Sequence, residues 1–316
     1  ALVDNQTVIT GGWDEVLVGE LLGEIKIDLP DIDMSDFGFD LSEYELPVDV
    51  TEDDVPEPPK VAKSKRGEVY QLGNHRLMCG DATSKDDVDK LMDGKKADMV
   101  FTDPPYNVNY SGGRSQLQGT KQHHRKILND NIGDEEFVRF ISDTYVLLDE
   151  HTKDIACIYI CRGDAVANSF LIMVGEFVNM GWKHANEIIW DKGVASLGYC
   201  DYRYKHEAIT YGWKGVGHYN AKDMTEVDVW NIARDGTTTY VHPTQKPVAL
   251  SGRAIKNSSI KDNIILDVFG GSGSTLIACE QLNRVCYMME LDPIYIDVII
   301  ERWENLTGKK AELISS

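Results

Sequence analysis

The 316-residue sequence has no apolar run near the roughly 20 residues that a helix needs to cross a bilayer. It opens with no basic–apolar–small leader, so secretion finds no support. It starts at Ala1 rather than Met, as a fragment or a processed product would. Cysteine is sparse, and Cys79, Cys157, Cys161, Cys200, Cys279 and Cys286 form no CxxC pair. A disulfide scaffold is excluded at this size and zinc spacing is missing. Reduced cytosolic thiols, mostly in the core, and no metal site are therefore expected. Positive charge is scarce at the front: residues 1–60 hold 17 Asp/Glu against two Lys, a net of −15 out of −20 for the chain. The remaining 35 acids and 30 bases nearly balance, so the body can present a basic face. A content of 42% hydrophobic residues argues against global disorder.

Three regions follow from composition. Residues 1–50 carry short amphipathic patches, and Val16, Leu17, Leu21 and Leu22 suit one surface helix over 13–25. Residues 51–66 are rich in Pro and charge and are expected to be a linker. From Gly67 the composition is globular. Strands are predicted at 97–102, 154–161, 184–190, 207–213, 263–269 and 284–290. Helices are predicted at 134–148, 164–180, 274–282 and 293–306. Such alternation implies an α/β fold, Rossmann-like, with a mostly parallel sheet flanked by helices. The expected division is a tail and linker over 1–60 and a domain over 61–316.

A buried-strand pattern ending in Leu266, Asp267, Val268 and Phe269 runs into Gly270, Gly271, Ser272 and Gly273, and then into a helix start at Ser274 and Thr275. Glycine lets a ligand approach the backbone, and a helix N-terminus offers free N–H donors. Nineteen positions after Gly271 the next strand ends in Glu290, Leu291 and Asp292, where a carboxylate can accept both hydroxyls of a ribose. A nucleoside cofactor fits this pair, although a glycine turn by itself is often just a tight connection. Leu276 occupies the third glycine position of the dinucleotide fingerprint, which counts against a nicotinamide or flavin.

The other informative segment is Asp103, Pro104, Pro105 and Tyr106, directly after the strand over 97–102. Two prolines stop a strand, fix φ twice and remove two N–H donors. What is left suits a planar amine: the Asp103 carboxylate and the Pro104 carbonyl accept its two hydrogens, and Tyr106 stacks on the ring. A Pro-Pro loop closing a strand over a buried Tyr is the plainer alternative.

Together these residues resemble a known family, the amino-directed DNA methyltransferases that use S-adenosylmethionine. Asp103, Pro104, Pro105 and Tyr106 look like the catalytic motif, and 267–273 the cofactor motif. His242, Pro243, Thr244, Gln245, Lys246 and Pro247 match a further signature near the methionine end of the cofactor. Cys79, Gly80, Asp81 and Ala82 resemble the segment whose acid meets the cofactor adenine, and His206–Glu207 a recurring pair after the central strands. Catalytic motif first and cofactor motif last is the permuted order of the β class, and the resemblance spans about 67–312. It implies the class I methyltransferase fold, double-stranded DNA as substrate, and transfer of methyl to adenine N6 in a flipped-out base. It also implies a prokaryotic or phage-type cytoplasmic setting and restriction–modification.

The implied cofactor contacts are Asp81, Ala82, Asp103, His242, Thr244, Lys246, Asp267, Phe269, Gly271, Ser272, Gly273, Ser274, Thr275, Glu290 and Leu291. Lys246 is expected at the methionine carboxylate. All but the tail contribute, so residues 1–60 are expected to be dispensable for cofactor binding. DNA contacts are expected from Arg114, Lys121, His123, His124, Arg125 and Lys126 in a basic, glycine-containing stretch over 111–128, and from Arg234 within 196–241. Trp190, Trp213 and Trp230 are expected in the core. So short a recognition region reads few bases alone, which points to a homodimer. Ala1, Leu2, Val3, Asp4 and Asn5 followed by Gly12, Trp13, Asp14 and Glu15 resemble the stretch after a ParB-like nuclease domain. The rival readings are N4-cytosine methylation, an RNA or protein-amide methyltransferase, a non-catalytic DNA-binding regulator and a nicotinamide oxidoreductase.

Overall fold

The computed structural model of the chain describes residues 50–51, 53–108, 130–163, 167–195, 201–216, 226–233 and 245–316. Arg114, Lys121, His123, His124, Arg125, Lys126, Arg234, His242 and Thr244 lie outside them, as does the expected helix over 13–25. The chain divides into a unit over Ala1–Asp49 and a second over Val50–Ser316, and the described strands and helices belong to the second.

Among the described residues the strands are β1 (Val69–Leu72), β2 (His75–Cys79), β3 (Ala97–Thr102), β4 (Thr152–Arg162), β5 (Lys183–Asp191), β6 (His206–Trp213), β7 (Val229–Asn231), β8 (Ile264–Asp267), β9 (Val285–Glu290) and β10 (Glu312–Ser315). The helices are α1 (Lys85–Met92), α2 (Asp134–Glu150), α3 (Ala167–Asn179), α4 (Val248–Ser258), α5 (Ser274–Gln281) and α6 (Pro293–Thr307). All strands join one sheet in the order β10-β1-β2-β9-β8-β3-β4-β6-β5-β7. The central run from β2 to β4 is parallel throughout. Antiparallel pairs flank it, β10 and β1 on one side and β6 with β5 on the other.

Strand alternation builds two cores. Met99 and Phe101 of β3, Ile265 of β8 and Met288 of β9 face one cluster, with Leu250, Ile277, Ile299 and Trp303 from α4, α5 and α6. Val100, Leu266 and Tyr287 face the other, with Val88, Phe137, Ile141 and Phe177 from α1, α2 and α3. Successive side chains of a strand point to opposite faces, so a parallel sheet covered on both sides needs apolar residues at every position. That is why Met99–Phe101 of β3 and Ile264–Leu266 of β8 read as consecutive apolar residues rather than as an alternation. Trp190 and Trp230 are fully buried, and their indole N–H groups donate to the Ile232 and Val227 carbonyls.

The compact unit begins at Val50, ahead of the expected boundary at 61. Residues read as linker are docked on the helices. The Thr51 N–H donates to Gln281 Oε1, Asp53 pairs with Arg302, and the Lys63 and Ser64 N–H groups donate to Asp297. Proline and charge mark a segment without its own secondary structure. They do not tell whether its polar groups meet water or another part of the chain.

Candidate active site

Every parallel strand delivers its C-terminal end to the same edge of the sheet. From β8 the chain crosses to β9 on one side, and from β3 it crosses to β4 on the other, so a crevice opens between β8 and β3. Ligands of open α/β sheets bind at such a reversal. Here the two strand ends are stitched together: Thr102 Oγ1 donates to Asp267 Oδ1 at 2.8 Å. Asp267 also accepts the Phe269 N–H at 3.1 Å, and burial pushes its pKa up to about 6. The Asp267 side chain is thus spent on the floor of the crevice. Phe269 turns its ring onto Phe140, with centroids 5.7 Å apart, and Ala82 is buried in the core.

The Asp-Pro-Pro-Tyr segment leaves β3 at this point. Both oxygens of Asp103 are engaged: the Tyr106 hydroxyl donates to Oδ1, and Lys246 Nζ donates to Oδ2 at 2.6 Å. Lys246 Nζ also lies 3.1 Å from the Tyr106 oxygen and 3.2 Å from Glu207 Oε2. Glu207 in turn meets Lys192 Nζ at 3.1 Å. Two carboxylates and two ammonium groups therefore alternate from the end of β5 into the crevice. Burial raises the pKa of Asp103, and the Lys246 ammonium and the Tyr106 hydroxyl work against it. For Lys246, burial disfavours the ammonium, but Asp103 and Glu207 outweigh it and the net shift is upward, so the cation persists. The Tyr106 phenol is held well above its ordinary range by burial and then by Asp103.

Lys246 faces the crevice in two ways. Its ammonium faces Asp103, and it is its backbone carbonyl that faces the glycine turn, accepting from Ser274 Oγ at 2.7 Å. A lysine side chain spans enough length to reach a carboxylate that the motif alone does not reveal.

Two supports of the motif were not anticipated. Gly163, just past β4, lies under the Tyr106 ring, where a Cβ would come within 2.7 Å of the ring carbon Cδ2. Asn107 adopts φ 56°, a conformation that Asn tolerates better than most residues. Its amide makes a pair of 2.9 Å bonds with the Ile132 backbone. An Asn directly after the Pro-Pro-Tyr turn was the available signal for the second; nothing local marks Gly163.

The glycine turn lies across the crevice. Gly273 has φ +87° and caps α5 without any side-chain bond, so the first N–H groups of that helix keep their donors for a ligand. Ser272, Ser274 and Thr275 are buried there. Glu290 ends β9 beside the turn, and its carboxylate bridges two loops by accepting the Gly271 N–H and the Asp292 N–H, each at 2.8 Å. Burial pushes its pKa up to about 7, against the pull of those N–H groups. At the next strand end, Asp81 Oδ1 accepts from the Thr83 N–H and hydroxyl, while Oδ2 lies 3.9 Å from Arg66. Leu291 offers its carbonyl to Arg66 at 3.2 Å. Gln245 Oε1 is buried with no hydrogen-bond partner, one residue from Lys246. Among the described residues, no cluster of three His, Cys, Asp or Glu could hold a metal, and no helix is long and apolar enough to cross a membrane.

A reversal crevice with a glycine turn, an acid at the adjacent strand end and an Asp-Pro-Pro-Tyr loop defines a class I methyltransferase fold. The sequence profile of the N6/N4 DNA methylase family matches residues 97–301, and the chain belongs to that family. It is 27% identical over 226 residues to the type II methyltransferase M2.MboI of Moraxella bovis, covering 66% of this chain and 81% of that one. Among solved structures, the M1.HpyAVI–SAM complex superposes with a TM-score of 0.52 at 20% identity, over 72% of this chain and 98% of the other. The PvuII DNA methyltransferase, described as cytosine-N4-specific, gives 0.54 at 16% identity, over 81% and 94%. At these identities the structures share the fold.

Proposed function

We propose that the protein transfers a methyl group from S-adenosylmethionine to the N6 amine of adenine in DNA. The observation that carries this reading is the half-buried Asp103 carboxylate held beside Tyr106 at the mouth of the crevice. Glu290 suits the ribose hydroxyls, the free N–H groups of α5 suit the methionine carboxylate, and the unpartnered Gln245 Oε1 suits its ammonium. Asp81 suits the cofactor adenine through the Oδ2 that Thr83 does not use. When bound, S-adenosylmethionine supplies an electrophilic methyl carbon.

The protein's own part is to place and polarise the amine. Adenine N6 is a poor nucleophile because its lone pair is delocalised into the ring. Asp103 and the Pro104 carbonyl accept its two hydrogens and stabilise the positive charge that grows on nitrogen. A carboxylate does this better than a neutral acceptor, and the N6 reading rests on the resemblance, in which Asp rather than Ser before Pro-Pro-Tyr leans to adenine. The neutral amine is too weak an acid to lose its proton first, so Asp103 or solvent takes the proton after transfer. Tyr106 provides the stacking face for a base turned out of the duplex, which costs a few kcal/mol. For this to happen, Lys246 must yield Asp103 Oδ2, and Glu207 offers its ammonium a second seat at 3.2 Å. The basic stretch over 111–128, whose flanks are joined at Asn107 and Ile132, is the proposed phosphate contact.

The test is methylation of duplex DNA with labelled S-adenosylmethionine, followed by digestion and mass spectrometry of the nucleosides. N6-methyladenine is expected. N4-methylcytosine would replace the base assignment, and label in protein or RNA alone would overturn the substrate class.

A further inference from the structure

Arg302 lies in the middle of α6 with 1% of its side chain exposed. A guanidinium buried to that degree needs a counterion. The counterion comes from 249 positions away: Nε donates to the Asp53 oxygens at 3.1 and 2.8 Å, and Nη2 meets Oδ1 at 2.5 Å. Asp53 belongs to the Pro- and charge-rich stretch that reads as a linker.

The guanidinium has one arm left, and it points at the glycine turn. Nη1 donates to the Ser272 carbonyl at 2.9 Å and lies 3.3 Å from Ser274 Oγ. The same planar peptide is held from its other end, because the Gly273 N–H donates to the Gly270 carbonyl at 2.8 Å. Ser274 Oγ then donates to the Lys246 carbonyl at 2.7 Å, and Lys246 Nζ reaches Asp103. A continuous polar path thus runs from Asp53 through the turn to the catalytic motif. The turn contains two positive-φ glycines, Gly271 and Gly273, so its backbone has little intrinsic preference and depends on such ties. Thr51 and Gln281 exchange two bonds at 2.7 and 3.0 Å, and Val50 packs on Gly252, which seats the segment on α4 and α5.

We propose that Asp53 is a positioning residue for the cofactor: by neutralising Arg302 it keeps that side chain on Ser272 and completes the S-adenosylmethionine site from outside the expected domain. This rests on the reading that the glycine turn binds S-adenosylmethionine. It replaces the expectation that residues 1–60 are dispensable for binding. Without Asp53 an unpaired buried cation must turn toward other carbonyls or water, and the turn is released.

The test uses the full chain. S-adenosylmethionine is titrated calorimetrically into wild type, into Asp53→Asn, and into a double variant carrying Asp53→Leu with Arg302→Met. Near-UV circular dichroism checks the fold. The double variant replaces a buried ion pair with apolar groups, a change that leaves many proteins stable, so it isolates the tie to Ser272 from the folding cost of an orphaned charge. Both variants are expected to raise the dissociation constant about two- to thirtyfold. The loss in methyl transfer should fall on KM for S-adenosylmethionine more than on kcat. A folded double variant that binds as tightly as wild type would overturn the proposal, leaving the pair a matter of stability alone. Wild type that takes up no S-adenosylmethionine would instead overturn the cofactor reading, and this proposal with it.

Discussion

Lys246 Nζ sits 2.6 Å from Asp103 Oδ2, across 143 positions of sequence. The carboxylate on which the proposed chemistry turns is therefore not a lone buried acid but half of an ion pair, closed by Tyr106 on its other oxygen. Asp103→Ala is expected to leave cofactor binding in place and nearly abolish methyl transfer, because it removes a contact that strengthens as the amine gains charge. Substantial single-turnover methylation by this variant would show that the role given to the motif is wrong.

The same pair predicts a pH effect. Burial raises the pKa of Asp103, and Lys246 opposes that rise. Lys246→Met removes the opposing charge, so the carboxyl must move further up. The acid limb of the single-turnover rate is expected to shift to higher pH. A profile that keeps its acid limb, with only a uniform drop in rate, would mean that Lys246 does not tune Asp103.

Gly163→Ala is expected to act through Tyr106. The added methyl would lie 2.7 Å from the ring, and it must displace either the ring or the β4 end. If stacking by Tyr106 contributes roughly 1–3 kcal/mol to holding the base, Gly163→Ala and Tyr106→Ala should each reduce base flipping. Fluorescence of 2-aminopurine at the target position reports it. The two changes should not add, since both remove the same contact. Additive losses would assign Gly163 a separate function.

Glu290 gives a second pH dependence with a definite sign. Its pKa stands at about 7, raised by burial, so a proton is still largely bound below that pH. Ribose hydroxyls donate best to the carboxylate. S-adenosylmethionine affinity is therefore expected to rise from about pH 6 to about pH 8 and level off, and Glu290→Gln should flatten the curve at the weaker level. The raised pKa also means that this group favours the folded state most below the ordinary Glu range of about 4.3 and progressively less up to about 7. A cofactor affinity independent of pH across that window in wild type would argue against ribose binding by Glu290.

Glu280 carries the opposite sign. The His75 ring and the Trp303 indole both bond Glu280 Oε2, at 2.8 and 2.9 Å, and its pKa falls to about 2, with the His75 bond as the main cause. The Cys286 N–H donates to His75 Nδ1, so Nε2 carries the proton that Glu280 accepts. This stabilisation is present above about pH 4.3 and is lost as pH falls toward about 2. Glu280→Ala should cost roughly 2–3 kcal/mol, because it leaves two buried donors without an acceptor. Urea unfolding at about pH 7 and about pH 3 checks both statements: the difference between variant and wild type should shrink in acid.

Much of the fold was legible because its signals are local. The strand over 97–102 is bounded as expected, and α6 starts at Pro293 behind an Asp292 cap, as an Asp-Pro step suggests. The short strands β1, β2, β7 and β10 carry no comparable signal, and α4 has no side-chain cap. The strands are three to five residues long, and the paired strand rather than periodicity defines them. The ends of the docked segment escaped for a different reason: Asp53 and Ser64 look solvated until Arg302 and Asp297 are seen opposite them.

The amino-acid sequence by itself determined the parts whose chemistry lies within one turn. Asp103 through Tyr106 and the glycines after Asp267 are contiguous motifs, and the acid at the end of β9 follows Gly271 by nineteen positions, so their order and spacing along the chain suffice to recognise them. The tertiary structure alone decided what those parts touch. Strand order brings β8 beside β3, and only that places Thr102 on Asp267, Lys246 on Asp103 and Glu207 on Lys246. Helix packing alone places Arg302 between Asp53 and Ser272. A charge's partner depends on which surfaces hydrophobic burial presses together, and no spacing along the chain encodes that distance.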